Sequence, residues 1–259
     1  MNDLQYLEDK NLKEVILIAQ DSTDYGYDIG LKDGLSMLLQ QMLNRSISIP
    51  WVRFLYAYPG LVTDRLIDLM ANNANIIPYL DLPLQHAHPD ILKSMRRPSN
   101  IDWVYRTIEK IRNAIPNISI RTTFIVGYPG ETEEHFSYLE NFLKDIKFDR
   151  VGIFKYSFEK DVPAEKLGDP IPENIKNYRV EKLMHIQESI SLEINKTFIN
   201  KNMEILVEGK NEEYVIGRSY RDAPEIDGLV IAEGNAKVGD FAKVKINNCS
   251  VHDLFGKII

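Results

Sequence analysis

The sequence predicts an α/β fold: a partial (β/α) barrel of parallel strands, followed by a small antiparallel β-barrel. Three observations predict it. From residue 14 to 157, short apolar runs alternate with amphipathic stretches, the signature of repeated βα units. From about 172 to 198 runs one long helical stretch. After residue 200 the chain changes to short apolar runs separated by Gly, Asn, Asp and Pro, which reads as closely spaced strands and turns.

The elements follow in order. EVILIA (14–19) is the first strand, and polar QDSTDYG (20–26) follows it. LKDGLSMLLQQMLNR (31–45) is amphipathic and helical. WVRFLYAYP (51–59) is a strand stopped by Pro59, and VTDRLIDLMANN (62–73) is a helix. IIPYLDLPLQH (76–86) holds the third strand, with helices at 89–95 and 101–114. ISIRTTFIVG (118–127) is the fourth strand. Thr132 is placed to cap the helix over 132–146, with Glu133 and Glu134 in its first turn. RVGIFKYS (150–157) is the fifth strand, and 158–171 is a loop with Pro163 and Pro170. The long helix carries Ile186, Ile190 and Ile194 at four-residue spacing. MEILVEG, YVIGRSY, GLVIAEG, DFAKVKINNCS and DLFGKII supply the strands of the second unit. The boundary is placed between 1–196 and 197–259.

Composition narrows the function. The 259 residues allow one large domain, or a medium and a small one. No window approaches a membrane-spanning length, and MNDLQYLEDKNLKE lacks the basic and apolar regions of a signal peptide, so a cytoplasmic protein is expected. The net charge of −7 argues against a broad nucleic-acid surface. The single cysteine, Cys249, excludes an internal disulfide and any Cys-rich metal or iron–sulfur site built by this chain alone. His86-Ala-His88 is the one close histidine pair, a weak metal signal by itself, and no metal site is expected.

In parallel βα architectures ligands bind at the C-terminal ends of the strands. Polar residues cluster there: Gln20, Asp21 and Tyr25 after strand one, Tyr56 and Tyr58 after two, and Gln85 and His86 after three. Gly127, Gly130 and Glu131 follow strand four, and Tyr156 and Ser157 end strand five. Taken singly, each reads equally as a turn residue; five such loops on one rim read as a site. RTTFIVGYPGET (121–132) stands out. Its glycines permit positive φ or close backbone approach, and Glu131 is placed to accept hydrogen bonds. It is not a P-loop, because no G-K-[ST] follows.

ILIAQDSTDYG (16–26), WVRFLYAYP, YLDLPLQHAHPDILKSMRRP (79–98), IRTTFIVGYPGETEEHF (120–136) and FDRVGIFKYSFE (148–159) occur in that order. Together they closely resemble the radical S-adenosylmethionine (SAM) methylthiotransferases, and the tail resembles the TRAM domain that closes them. Ala-Gln-Asp at 19–21 and GRSYRDAPEIDGLVIAEG (217–234) resemble the RimO branch, which adds a methylthio group to an aspartate β-carbon of a small-subunit ribosomal protein at the decoding centre. The other branch modifies a tRNA adenosine. Residues 197–259 hold eight Lys/Arg and ten Asp/Glu, a balance of −2, which suits a basic protein partner better than tRNA. A non-catalytic module that binds the ribosomal protein is a further reading.

The resemblance implies SAM and two 4Fe-4S clusters as cofactors. It implies SAM contacts from Gln20, Asp21, Gln85, Arg121, Gly127, Gly130, Glu131 and Tyr156, and substrate-protein contacts from Arg218, Asp222, Glu225 and Asp227. Arg96 and Arg97 read either as carboxylate partners or as a helix-end surface pair. The resemblance also places the cluster-binding C-x-x-x-C-x-x-C loop and the first barrel strand upstream of the position matching Met1. The chain is therefore expected to be a C-terminal portion, inactive alone and prone to self-association at the exposed sheet edge. After strand five, Lys160-Asp161-Val162 departs from the family's usual pattern.

Overall fold

The computed structural model describes residues 2–45 and 48–259. After helix α1 (Asn2–Asp9), five strands form a curved sheet: β1 (Glu14–Leu17), β2 (Trp51–Phe54), β3 (Tyr79–Gln85), β4 (Ser119–Val126) and β5 (Arg150–Lys155). β1 pairs with β2, and β3, β4 and β5 pair in order; every pairing is parallel. The two parts join through a parallel bridge between Val52 and Ile76, and the Ala57 amide donates to the Asp81 carbonyl at 2.8 Å. The helices α2 (Gly34–Asn44), α3 (Asp64–Asn72), α4 (Pro89–Ser94), α5 (Ile101–Ala114) and α6 (Glu133–Ile146) connect the strands. Their apolar faces bury Leu39, Leu66, Ile108, Phe136 and Phe142 in one core with Leu80, Ile120 and Phe124 of the sheet.

Local chemistry sets the boundaries. Thr63, Asn100 and Thr132 cap α3, α5 and α6 by accepting the amides of Leu66, Trp103 and His135. Thr132 and His135 do so reciprocally, a capping box with histidine in the usual Glu/Gln position. Strand two is shorter than its apolar run suggests. Tyr56 turns into left-handed backbone at φ 58 and ends the ladder.

Helix α7 (Glu173–Lys196) packs on β4, β5 and α6. Of the expected isoleucine stripe, Ile190 is buried, and Ile186 and Ile194 pack at the core margin. Its docking face is otherwise polar. Lys176 donates to the Tyr156 carbonyl, Gln187 to that of Phe148 and Asn195 to those of Ser250 and Val251, while Arg179 pairs with Glu131.

Strands β6 (Asn202–Lys210), β7 (Tyr214–Arg218), β8 (Val230–Glu233), β9 (Phe241–Cys249) and β10 (Leu254–Ile258) close a five-stranded barrel around Ile205, Val215, Ala232, Val244 and Ile246. The barrel is not wholly antiparallel as expected: β10 runs parallel to β8. Among the described residues no helix is long and apolar enough to cross a membrane.

Candidate active site

A concave cavity opens at the C-terminal ends of β1 to β5. It has two adjoining lobes of about 750 and about 660 Å³, and Gln85, Met95, Arg96, Arg97, Thr123 and Phe154 line both. One lobe adds Gln20, Asp21, Tyr56, Tyr58 and Arg121. The other adds Ile125, Tyr128, Tyr156 and Ser157. Either volume suits a small cofactor. Five of the eight residues expected at the SAM site therefore meet on this surface: Gln20, Asp21, Gln85, Arg121 and Tyr156.

Three residues lining the cavity hold left-handed backbone without being glycine: Tyr56 at φ 58, Gln85 at φ 70 and Arg96 at φ 57. Such strain concentrates where a site over-determines the chain. At Gln85 the β3–β4 register shifts. Arg96 is the residue that ends α4: the Arg97 amide reaches back to the Leu92 carbonyl at 2.8 Å, and both guanidinium groups face the cavity. Neither forms an ion pair among the described residues; Arg97 Nη1 donates to the Pro83 carbonyl at 3.4 Å. Asp21 folds the first loop by accepting the Thr23 amide at 2.9 Å, and Thr23 Oγ1 then accepts the Tyr58 amide, also at 2.9 Å. Phe154 stands 55% exposed as an apolar wall, and the Tyr156 ring packs edge-on to Tyr128 with its hydroxyl buried and unpartnered among the described residues.

Gly127, Gly130 and Glu131, expected at the SAM site, are not among the residues lining the two lobes. Glu131 accepts the amides of Gly127 and Tyr128 and pairs with Arg179 of α7 at 3.3 Å. Burial pushes its carboxyl up to about 7, against the opposing pull of Arg179 and those amides. Gly127 at φ 74 lies against the Lys176 side chain, so its missing Cβ admits a lysine rather than a ligand. Tyr128 alone of this turn reaches the cavity.

Met95, Thr123, Ile125, Tyr128 and Phe154 were not anticipated. The period of two could have found Thr123 and Ile125, which share the inner face of β4 with Arg121. Phe154 sits opposite Ile125 in the β4–β5 register.

Of the four residues expected to meet a protein partner, three lie inside the joint between the two barrels. Arg218 bridges Glu14 and Glu208, at 2.7 Å to each. Asp222 pairs with Arg150 at 2.7 Å and accepts the Ser219 hydroxyl, also at 2.7 Å. Asp227 accepts the Tyr79 hydroxyl at 2.7 Å and the Ala223 amide at 2.9 Å. Buried Arg53 completes the joint, pairing with Glu14 and donating to the carbonyls of Tyr220 and Asp222. Only Glu225 is exposed, at φ 68. Loop 219–229 thus closes the end of the half-barrel opposite the cavity. Apart from exposed Glu225, its charges are paired against the half-barrel, Arg221 with Asp149, Asp222 with Arg150 and Asp227 with Arg121, because buried charges need partners.

The described residues contain one group of converging potential metal ligands: His88, Asp90 and His135. His88 Nδ1 accepts the Asp90 amide, and His135 Nδ1 accepts that of Thr132, both at 3.2 Å. Both Nδ1 atoms are thus engaged in helix capping, and His135 Nδ1 also lies 3.2 Å from the Gly130 carbonyl. His86 takes no part. Its ring is fully buried, accepts the His88 amide, and is held neutral by burial and its cationic neighbours, with its pKa pushed down to about 3.

Residues 1–143 match the Radical SAM superfamily, and residues 199–259 match the TRAM domain. The chain belongs to the radical SAM superfamily. Along its whole length this radical SAM chain is similar to the curated ribosomal protein uS12 methylthiotransferase RimO of several bacteria. Identity is 44% over 265 residues to that of Herpetosiphon aurantiacus and 42% over 264 residues to that of a Roseiflexus species, with 100% of this chain and 56% of each relative covered. Against the Gloeothece citriformis protein it is 44%, covering 100% of this chain and 59% of the relative. The chain thus spans little more than half the length of these relatives. Coproporphyrinogen III oxidase (HemN) from Escherichia coli, a radical SAM enzyme, shares the fold with a TM-score of 0.51 at 11% identity, over 84% of this chain and 51% of that one.

The superfamily implies SAM and an iron–sulfur cluster. The cavity residues fit SAM: Arg96 and Arg97, which form no ion pair among the described residues, for a carboxylate, an apolar wall of Phe154, Met95 and Ile125 for the nucleoside, and a Tyr156 hydroxyl without a partner among the described residues. They do not fit a cluster. Cluster iron is held by cysteine thiolates, and the single cysteine, Cys249, ends β9 in the TRAM barrel.

Proposed function

We propose that this chain is the SAM-binding half-barrel and TRAM portion of a methylthiotransferase that modifies an aspartate β-carbon of a small-subunit ribosomal protein. The observation that carries the reading is the cavity: two guanidinium groups with no ion pair among the described residues, Arg97 held to the Pro83 carbonyl at 3.4 Å, beside an exposed aromatic wall at the strand ends of a radical SAM half-barrel. Similarity to the RimO proteins along the whole chain supports the protein-modifying branch.

The roles follow from the chemistry of each group. Arg96 and Arg97 bind the SAM carboxylate by charge-assisted hydrogen bonds. Gln85 and Gln20 are amides able to serve both donors and acceptors on the amino-acid and ribose ends. Phe154 and Ile125 cover the base and keep water from it, and Tyr156 Oη donates to a ligand acceptor. When bound, SAM supplies the radical precursor and the methyl group. The cluster thiolates come from residues other than those of this chain, so the chain alone binds and orients but does not perform the radical step.

The ribosomal-protein partner is now supported by the relatives and by the absence of a broadly basic surface, not by Asp222 or Asp227. The test is fluorescence anisotropy of this chain against labelled uS12 and against tRNA. Tighter binding to uS12 is expected. Tighter binding to tRNA with a steep salt slope would assign the chain to the tRNA branch instead.

A further inference from the structure

We infer that Asp227, carried by the TRAM domain, is a positioning residue that sets Arg121 and, through Asp81, the Tyr56 backbone on the cavity floor. Its functional meaning rests on the SAM reading of the cavity; its geometry does not.

Arg121 is the partition between two spaces. One side lines the cavity beside Gln20, Asp21 and Tyr56. The other lines a cleft of about 240 Å³ between the barrels, with Arg150, Gln187, Asp227 and His252. A long arginine on a strand has many rotamers, and two carboxylates select one. Nη1 donates to Asp81 Oδ1 at 3.0 Å, and Nε lies 3.6 Å from Asp227 Oδ1. Gly152, paired with Thr123 on the neighbouring strand, borders the guanidinium: a Cβ there would stand 3.5 Å from Arg121 Nη2. Asp227 cannot drift, because the Tyr79 hydroxyl and the Ala223 amide both hold its second oxygen.

Asp81 divides its carboxylate. One oxygen takes Arg121, and the other accepts the Tyr56 amide at 3.2 Å, at the left-handed residue that starts the second rim loop. With its Nε drawn toward Asp227, Arg121 engages Asp81 through Nη1 alone, which leaves that second oxygen to Tyr56. Without the Asp227 charge, Arg121 turns fully onto Asp81, takes both oxygens in the bidentate geometry arginine prefers, and releases the Tyr56 amide. A TRAM side chain thereby controls backbone at the opposite end of the half-barrel.

The experiment is amide hydrogen exchange of Tyr56 in the wild type, Asp227→Asn, Asp227→Glu and Asp222→Asn, with a parallel SAM titration. Asp227→Asn keeps shape and an acceptor for Tyr79, and Tyr56 exchange is expected to rise about tenfold. Asp227→Glu, which restores the charge, is expected to stay within about twofold of wild type. Asp222→Asn loosens the same loop through Arg150 without touching Arg121, and is expected to leave Tyr56 unchanged. Unchanged Tyr56 exchange in Asp227→Asn, or equal acceleration by Asp222→Asn, would overturn the inference. SAM affinity is expected to weaken several-fold in Asp227→Asn only. A wild type that binds no SAM would refute the cavity reading while the exchange result still decides the positioning role.

Discussion

Gly127→Ala separates the two explanations of the Gly-Tyr-Pro-Gly turn. Gly127 holds φ 74, and a Cβ built there stands 2.4 Å from Lys176 Cγ and 2.9 Å from Cδ. Left-handed backbone costs an alanine about 1–2 kcal/mol. Lys176 is 2% exposed, and its ammonium donates to the Tyr156 carbonyl at 3.0 Å and to Asp169 at 2.6 Å. Pushing that side chain aside strains or breaks two charge-assisted bonds, each worth about 1.5–3 kcal/mol. The sum is roughly 2.5–5 kcal/mol if one bond is lost and roughly 4–8 kcal/mol if both are. Gly130→Ala is the control: φ is 90, but nothing lies within 4 Å of its Cβ, so only the backbone cost applies. Urea unfolding followed by circular dichroism should place Gly127→Ala at least about 2 kcal/mol below Gly130→Ala. Equal losses in the two variants would refute the claim that this glycine exists to admit Lys176. The same displacement frees Tyr156, so Gly127→Ala should also weaken SAM binding.

Other expectations concern pH, the joint and the metal chemistry. His86 has a folded pKa of about 3 against an ordinary 6.5, so its stabilising contribution is complete above pH 6.5 and is lost as pH falls toward 3. By pH 4.5 the loss is about 2–3 kcal/mol; His86→Asn, which retains an acceptor for the His88 amide, should flatten the urea-midpoint profile over that range. Asp222→Ala leaves Arg150 buried without its partner and should cost about 3–5 kcal/mol, with both barrels melting in one calorimetric transition; independent melting of the TRAM barrel would contradict the joint. Anaerobic incubation of this chain with iron and sulfide should yield no thiolate-to-iron charge-transfer band, and Cys249→Ser should behave identically.

Much of the scaffold was legible because it is periodic. Alternating apolar runs and amphipathic stretches marked all five strands of the half-barrel, and Thr132 announced the start of α6. Pattern could not tell which polar residues face inward. Asp222, Asp227 and Arg218 look like a solvated charged loop, and only the three-dimensional pairing with Arg150, Tyr79 and Glu14 shows that they fill the base of the half-barrel. The same limit hid the polar part of the docking face of α7, where Lys176, Arg179, Gln187 and Asn195 are buried alongside the apolar stripe that periodicity seeks. The partners of Glu131 were hidden for a related reason. A carboxylate in a glycine-rich turn reads as a ligand contact, yet its partners are the turn's own amides and Arg179. Arg96 and Arg97 resolve the other way: the pair that could have been a surface helix end is turned into the cavity by the left-handed residue closing α4.

The central claim is that SAM occupies the cavity at the strand ends of β1 to β5. Its most direct test is an NMR titration of the isotope-labelled chain with SAM, with amide shifts mapped by residue. The expected result is saturable perturbation of Gln85, Arg96, Arg97, Thr123, Phe154 and Tyr156, weakened by Arg97→Ala, with β6 to β10 unaffected. No saturable shift at these residues, or shifts confined to the TRAM barrel, would contradict it.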